Sequence, residues 1–386
     1  MDSDAVRRAM HELTPSLAPG LAWAVGLGDE VHQGVAGVGS LETGAPIEID
    51  SIFRIASLTK PITAAAVLRA AEDGVLAIED SVEAWLPELA DRRVLRDRTG
   101  PIDDTVGADR EITMRDLMSF TAGYGFDFAD FDHQIQVAEL RRLGLGVGPP
   151  APASMPPIDE WMRRLQTIPL DHQPGTAWRY HFCSEILGVL LHRAYEQPLD
   201  EVLAELVLTP AGMVDTAFHV DAARQQRFTT SYTVDGTVDG GTGRTVVYDT
   251  PDGQWSAPPP FPSGGGGLVS TVGDYMAFGR ALINGGGSVL SARSVDEMTR
   301  DHLPPAISIA TEDDIGWGYG VDVRRPGGSD LRSPGSYGWV GGLGTVWWND
   351  PAHDLTAVLF TNRSVDGPHG ARTIEVFQRA VYEALP

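Results

Sequence analysis

The sequence predicts an α/β lobe, in which helices flank an antiparallel sheet built from both chain ends, together with a mainly helical lobe. Two observations support this fold class. A chain of 386 residues is longer than one ordinary hydrophobic core requires. Strand-like and helix-like runs lie near both termini, whereas apolar residues in the middle follow mainly helical spacing. We therefore expect residues 1–80 and 265–386 to form the α/β lobe, and residues 81–264 to form the helical lobe with its lid loops.

The two chain ends supply the elements of the α/β lobe. Apolar spacing predicts an amphipathic helix at residues 4–13 and two strands at residues 21–27 and 31–37. The next helix follows Ser57 and ends at Gly74, because glycine commonly terminates helices. Near the other terminus, the same patterns predict two strands and a closing helix, at residues 344–348, 355–361 and 373–384.

The middle of the chain is predicted to be helical, with irregular segments between the helices. Residues 144–157 and 255–267 are rich in Gly and Pro, which favours functional loops or lids, with plain surface loops as the alternative. Residues 231–238 and 245–249 are strand-like and predict a hairpin over the cleft. Apolar spacing predicts five helices, at residues 112–120, 159–166, 185–195, 199–206 and 272–284.

Composition excludes several classes of partner. The net charge of −24 argues against nucleic acid and anionic membrane, because both would be repelled. The single cysteine, Cys183, excludes an intrachain disulfide and suits a reducing cytoplasm. The first residues lack a signal pattern, and no apolar run is long enough to span a bilayer. We expect a soluble, cytoplasmic protein, and the sequence leaves its oligomeric state open.

Lys60 is the only lysine in the chain and ends the motif Ser57-Leu-Thr-Lys60. A buried ammonium can lose its proton, whereas a guanidinium cannot, so a single retained lysine indicates chemistry that arginine cannot perform. Residues three apart share a helix face, which brings the Ser57 hydroxyl towards Lys60. We expect Ser57 to cap the helix and Pro61 to lie in its first turn. The alternative is a capping serine followed by a surface lysine; we favour an activated serine.

Other segments could complete a site around this serine. Tyr180 follows a Pro-Gly turn, and close to Lys60 it could accept the serine proton. The glycines of residues 337–344 could offer a backbone N–H to a substrate oxygen, with a bulge or tight turn as the alternative. Tyr124 and Phe126 could line an acyl pocket, although core packing is the default for aromatic residues. The scattered histidines and the lone cysteine predict neither a metal site nor a cofactor.

Five segments in chain order resemble the serine β-lactamase and penicillin-binding-protein superfamily, and most closely its family VIII carboxylesterases, which are similar to class C β-lactamases. The segments are FRIASLTKP (53–61), LMSFTAG (117–123), PGTAWRY (174–180), GGGLVST (265–271) and GWVGGLGT (338–345). The resemblance implies a β-lactamase/transpeptidase-like fold, with Ser57 as nucleophile and Lys60 and Tyr180 as the proton-handling pair. It also implies an oxyanion hole formed by the backbone N–H groups of Ser57 and Gly342.

The departures from the superfamily pattern concern the substrate. The usual Tyr-x-Asn motif is replaced here, since His181 and Phe182 follow the tyrosine. The usual Lys-Thr-Gly motif is replaced by Trp339, Val340 and Gly341. Family VIII esterases commonly have Trp at this point, which indicates a site for a neutral, fairly apolar acyl or alkoxy group. Two roles are open for the histidine, a passive rim residue, which we favour, or a helper to the tyrosine.

The sequence therefore predicts a carboxylesterase that acts on a small-molecule ester through an acyl-serine. In this interpretation Ser57 attacks the carbonyl, Tyr180 takes its proton and Lys60 stabilises the phenolate. The alternatives on the same site are an amidase or D-aminopeptidase, an acyltransferase and a weak β-lactamase. A non-catalytic ligand-binding protein of this fold is a remoter alternative, because such a protein would not need its single lysine in this position.

Overall fold

The computed structural model describes residues 1–235, 244–307, 309, 314–328, 331–365 and 372–386. The helices of these residues are α1 (Ser3–Leu13), α2 (Thr59–Glu72), α3 (Met114–Met118), α4 (Ile135–Arg142), α5 (Ile158–Leu165), α6 (Phe182–Tyr195), α7 (Leu199–Leu203), α8 (Thr209–Ala211), α9 (Val272–Ile283), α10 (Ala292–Thr299) and α11 (Arg372–Glu383). The strands are β1 (Gly20–Leu27), β2 (Glu30–Gly37), β3 (Phe53–Arg54), β4 (Arg93–Leu95), β5 (Thr105–Gly107), β6 (Ser231–Asp235), β7 (Arg244–Asp249), β8 (Val269–Ser270), β9 (Ile315–Trp317), β10 (Asp322–Arg324), β11 (Tyr337–Gly341), β12 (Thr345–Asp350) and β13 (Leu355–Thr361).

Seven of the described strands form one antiparallel sheet in the order β2-β1-β13-β12-β11-β10-β9. The register pairs Leu21 of β1 with Thr361 of β13, and Trp339 of β11 with Trp347 of β12. Strand β13 is buried along its whole length, as a central strand covered on both faces must be, whereas the edge strand β2 is largely exposed. Because β1 and β2 come from one chain end and the other five strands from the opposite end, the predicted sheet is confirmed.

Helices cover both faces of this sheet. On one face, α1 and α11 contact each other, and Val6 and Phe377 pack in a cluster with Trp348. On the other face, α9 packs against β1, β12 and β13, and Trp347 belongs to the large core cluster there. The two neighbouring tryptophans therefore serve opposite faces, because side chains alternate along a strand.

Helix α2 is a buried helix that packs mainly against other helices. It contacts α6, α7 and α10, and most of its residues are buried, including the run Ala64–Ala66. Small side chains let neighbouring helices approach closely at native packing density. Lys60 is also fully buried in this helix, and a charged group in such surroundings is costly unless it is paired or neutral.

The predicted elements of the middle segment are largely confirmed, with local corrections. The helix predicted at residues 112–120 is shorter, because Thr113 caps it in a reciprocal arrangement with Asp116. Strands β6 and β7 form the predicted hairpin, while residues 236–238 lie outside the described residues. The exact lobe boundaries stay a prediction. Of the described helices, none is both long and apolar enough to span a membrane.

Candidate active site

Ser57 lies in a short 3₁₀ turn, Ala56–Leu58, between β3 and α2. The prediction that Ser57 caps the helix is wrong, since the cap position is Leu58 and no side chain caps this end. The Ser57 hydroxyl instead lies 3.1 Å from Lys60 Nζ. Ala56 has a φ of 45°, a strained conformation for a residue with a side chain. The Thr59 hydroxyl holds this turn by donating to the Ala56 carbonyl at 2.7 Å.

Lys60 makes three polar contacts from a fully buried position. Its Nζ lies 3.1 Å from Ser57 Oγ, 3.2 Å from His181 Nδ1 and 2.5 Å from the carbonyl oxygen of Gly265. Burial lowers the pKa of Lys60 to about 7, and the charge of Glu185 opposes this shift only in part. A large fraction of Lys60 is therefore a neutral amine at neutral pH, so it can accept a proton.

Tyr180 lies beside the serine and the lysine. Its hydroxyl accepts a hydrogen bond of 2.8 Å from Trp339 Nε1 and lies near the hydroxyl of Ser57. Lys60 Nζ lies over the ring, 4.6 Å from its centroid. Burial raises the pKa of Tyr180 far above its usual value. The hydroxyl is therefore protonated at neutral pH and can donate a proton during a reaction.

Aromatic side chains surround the Tyr180 ring. Phe126 lies edge-on at 5.4 Å between centroids, Phe128 at 4.8 Å, Trp178 at 5.7 Å and Trp339 at 5.5 Å. Paired backbone hydrogen bonds between Phe126 and Tyr180 fix the two segments to each other. These rings make the surroundings of the tyrosine apolar, which strengthens electrostatic interactions inside the site.

Strand β11 brings the third motif against the serine turn. Trp339 packs with the core cluster on the site's face of the sheet, whereas Val340 packs with the cluster on the opposite face. A Cβ at Gly341 would lie 2.3 Å from the Ile55 carbonyl oxygen, so only glycine permits this approach. A Cβ at Gly342 would meet no atom within 4 Å, so its backbone borders open space. The oxyanion hole remains a prediction, and the position of Gly342 is compatible with it.

The structure places two further expected substrate contacts within the core. Tyr124 is fully buried, and its hydroxyl donates to the Ile168 carbonyl oxygen at 3.4 Å. Phe182 is fully buried and stacks on Trp161 at 6.2 Å. With Val340 on the opposite face of the sheet, Phe126 and Trp339 are the expected aromatic contacts that lie against Tyr180.

Sequence reasoning missed the groups that surround the lysine. Glu185, on α6, lies 3.2 Å from His181 Nε2 and accepts a hydrogen bond of 2.6 Å from Ser263 Oγ. The signal for Glu185 was its spacing, because residues four apart face each other on a helix. The contact of Gly265 with Lys60 had no comparable signal, since 205 residues separate the two.

This geometry defines the class of protein. A serine hydroxyl beside a buried amine of lowered pKa, with a protonated tyrosine next to both, is the machinery of a serine hydrolase. The Beta-lactamase family profile matches residues 8–380, and the chain belongs to the β-lactamase family.

Individual proteins of the family are similar to this chain over most of its length. Esterase EstB from Burkholderia gladioli is 31% identical, with 92% of this chain and 88% of EstB covered. Protein Rv1367c from Mycobacterium tuberculosis is 36% identical, with 86% of this chain and 82% of the relative covered. The solved structure of EstCE1, described as a hydrolase with promiscuous acyltransferase activity, matches with a TM-score of 0.83 at 23% identity and covers 98% of both chains. The chain is thus a family VIII esterase-like serine hydrolase, and the β-lactamase/transpeptidase-like fold is confirmed.

Proposed function

We propose that this protein is a carboxylesterase that cleaves short, neutral, fairly apolar esters through an acyl-Ser57 intermediate. The observation that carries the proposal is the contact of 3.1 Å between Ser57 Oγ and Lys60 Nζ, whose pKa burial lowers to about 7. Poised near neutral pH, such a group is an efficient general base.

Acylation begins with proton transfer from Ser57 to the neutral Lys60. The Ser57 oxygen bonds to the ester carbonyl carbon, and the carbonyl electron pair moves onto its oxygen, facing the N–H groups of Ser57 and Gly342. The sequence-based mechanism gave the serine proton to Tyr180. Burial favours Lys60 instead, because the pKa of Tyr180 is raised while that of Lys60 is lowered.

Collapse of the tetrahedral intermediate breaks the bond to the alkoxy oxygen. Tyr180, which lies near Ser57, donates its proton to that leaving oxygen, and the Lys60 ammonium then returns a proton to Tyr180. Both groups then regain their starting states. Water then attacks the acyl-serine, with Lys60 as the base that takes its proton. Collapse of this second tetrahedral intermediate releases the acid and regenerates the Ser57 hydroxyl.

The third motif supports a neutral substrate. Trp339 stands where the usual Lys-Thr-Gly motif has its lysine. Its indole N–H is already donated to Tyr180. Arg332, the arginine that shortly precedes this motif, is bonded to Asp322 through both of its terminal nitrogens, at 3.2 and 2.7 Å. A substrate carboxylate would have to compete with Asp322 for that guanidinium, whereas a neutral ester needs no such partner.

The test is covalent labelling together with turnover. A fluorophosphonate probe should modify wild-type protein on the peptide that contains Ser57, and p-nitrophenyl acetate and butyrate should be hydrolysed. Ser57→Ala should do neither while it keeps the wild-type melting temperature, because only the covalent step is removed. Substantial turnover by Ser57→Ala, with acylation found on another residue, would contradict the proposal.

A further inference from the structure

We propose that His181 and Glu185 form a positioning pair that aims the lone pair of Lys60 at the Ser57 hydroxyl. This inference rests on the proposed function and assigns to the histidine a role on the lysine. The sequence analysis had considered a passive rim residue or a helper to Tyr180. His181 Nδ1 lies 3.2 Å from Lys60 Nζ, and His181 Nε2 lies 3.2 Å from Glu185 Oε1.

The partners of the imidazole determine its tautomer. The Glu185 carboxylate can only accept, so His181 must carry its proton on Nε2. Burial, with Lys60 nearby, lowers the pKa of His181, so the ring is neutral at neutral pH. Burial acts to raise the pKa of Glu185, but hydrogen bonds from His181 and Ser263 hold it below its usual value. His181 Nδ1 is therefore an acceptor that faces the lysine.

Only one arrangement of hydrogen bonds around the neutral Lys60 amine is then possible. A neutral Lys60 has two N–H groups and one lone pair, and three partners surround its nitrogen. The Gly265 carbonyl and His181 Nδ1 can only accept, so they take the two N–H groups. Of the three partners, only the Ser57 hydroxyl can donate. The lone pair consequently faces the proton that it must remove.

Glu185 organises both acceptors of the lysine. Its Oε1 contacts His181 and accepts a hydrogen bond of 2.6 Å from Ser263 Oγ. Its Oε2 accepts a hydrogen bond of 3.3 Å from the N–H of Gly265. The same loop presents the Gly265 carbonyl to Lys60 at 2.5 Å. A Cβ at Gly265 would lie 2.7 Å from Glu185 Oε1, so a side chain at this position would displace the Glu185 carboxylate.

The backbone at His181 is strained where this contact is made. Its φ of 85° and ψ of −62°, with a hydrogen bond of 3.3 Å from Phe182 N–H to the Tyr180 carbonyl, form a γ-turn of the rare positive-φ type. Such strain persists only where the surroundings enforce it, and it clusters at functional sites. The turn places Tyr180 and His181 on the same buried amine.

A matched pair of substitutions separates the two hydrogen bonds of the imidazole. Asn Oδ1 lies as many bonds from Cβ as His Nδ1, so His181→Asn retains the acceptor for Lys60, and Asn tolerates positive φ. Gln Nε2 corresponds to His Nε2, so His181→Gln retains the contact with Glu185 and loses the acceptor. His192→Asn is the control, because His192 lies on the same helix α6 and contacts the Gln197 carbonyl at 2.6 Å.

The readout is the rate at which a fluorophosphonate labels Ser57, which does not depend on the natural substrate. Here the Ser57 oxygen bonds to phosphorus, fluoride leaves, and the serine proton passes to Lys60. We expect His181→Gln to label about tenfold to hundredfold more slowly than wild type, in the range found for partners that orient a reactive group. His181→Asn should stay within about fivefold and His192→Asn at the wild-type rate, with melting temperatures showing that each variant is folded.

The pH dependence distinguishes positioning from mere structural support. Three of the described groups around Lys60 are neutral at pH 7, namely Ser57, Tyr180 and His181. Glu185 carries the negative charge that raises the pKa of Lys60. Glu185→Gln removes that charge, so the acid limb of the labelling rate should move to lower pH while the plateau falls. An unmoved limb, or equal rates for His181→Asn and His181→Gln, would overturn the positioning role. Absence of labelling in wild type would overturn the proposed function along with it.

Discussion

The indole N–H of Trp339 donates a hydrogen bond of 2.8 Å to the hydroxyl of Tyr180. The residue that stands in place of the lysine of the usual third motif is thus hydrogen bonded to Tyr180. Its ring also lies edge-on to Trp317 at 4.7 Å, which fixes the indole in place. A single substitution at this position therefore changes both the apolar lining and the hydrogen bond to the tyrosine.

Trp339→Phe should lower kcat for p-nitrophenyl butyrate about threefold to tenfold, because one hydrogen bond to the tyrosine is worth roughly 0.5–1.5 kcal/mol. KM should change less, since the aromatic volume is largely kept. Trp178→Phe is the matched control. Trp178 stacks on the same tyrosine at 5.7 Å, but its Nε1 has no hydrogen-bond partner among the described residues. Equal losses in the two variants would show that packing, and not the hydrogen bond, is what matters.

Lys60→Arg should be nearly as damaging as Lys60→Ala, with kcat/KM reduced about a thousandfold in both, within the range of general-base contributions. The side chain of Lys60 is fully buried and its nitrogen is held by three partners, so a wider guanidinium does not fit. A guanidinium also keeps its proton at all relevant pH values. The measurement is kcat/KM for p-nitrophenyl butyrate, with the rate of Ser57→Ala subtracted as background. A near-wild-type Lys60→Arg would show that this residue acts only as a fixed positive charge.

The sequence could place Ser57 beside Lys60 because the relationship between these two residues is local. Ser57 and Lys60 are three residues apart, so helix geometry alone brings them together. Strand periodicity could also have excluded Val340 from the site, since it alternates with Trp339 on β11. Local rules predicted the terminal strands of the sheet for the same reason.

Contacts between distant segments were not predictable in this way. The bond between Trp339 and Tyr180 joins residues 159 positions apart, and the contact between Lys60 and His181 spans 121. The γ-turn at His181 was also invisible, because nothing in a histidine signals positive φ. Such contacts depend on tertiary packing, which a single sequence does not specify by pattern. The sequence therefore left the role of His181 open between a passive rim residue and a helper to Tyr180.

The proposed base predicts the pH dependence of acylation. Burial lowers the pKa of Lys60 to about 7, and only its neutral form can take the serine proton. Activity should therefore rise with pH to a plateau above about pH 8, and at pH 6 it should be about tenfold below the plateau because about a tenth of the amine is neutral. The measurement is kcat/KM for p-nitrophenyl butyrate between pH 5 and 9, corrected for spontaneous hydrolysis with Ser57→Ala. A profile that is flat below pH 7, or that falls as pH rises through 7, would contradict Lys60 as the base.

We expect the substrate class to depend on the third motif, which lacks a lysine. A β-lactam antibiotic brings a carboxylate into the site, and burying that charge without a partner costs several kcal/mol. Trp339 gives its N–H to Tyr180, and Arg332 is held by Asp322. Arg244, at the start of β7, is exposed. Short neutral esters should therefore be turned over clearly, and penicillins and cephalosporins only slightly.

The measurement is kcat/KM for p-nitrophenyl butyrate beside that for nitrocefin, under one set of conditions and with one enzyme preparation. We expect the ester to be favoured at least about a hundredfold, since roughly 3 kcal/mol of unpaired charge corresponds to that ratio. Asp322→Asn is an informative second variant, because it removes the carboxylate that Arg332 contacts at 2.7 Å. If nitrocefin turnover rises in that variant while ester turnover is kept, the missing cation is what excludes the antibiotic. Comparable values for the two substrates in wild type would mean that the third motif does not exclude a carboxylate and that the enzyme functions as a β-lactamase.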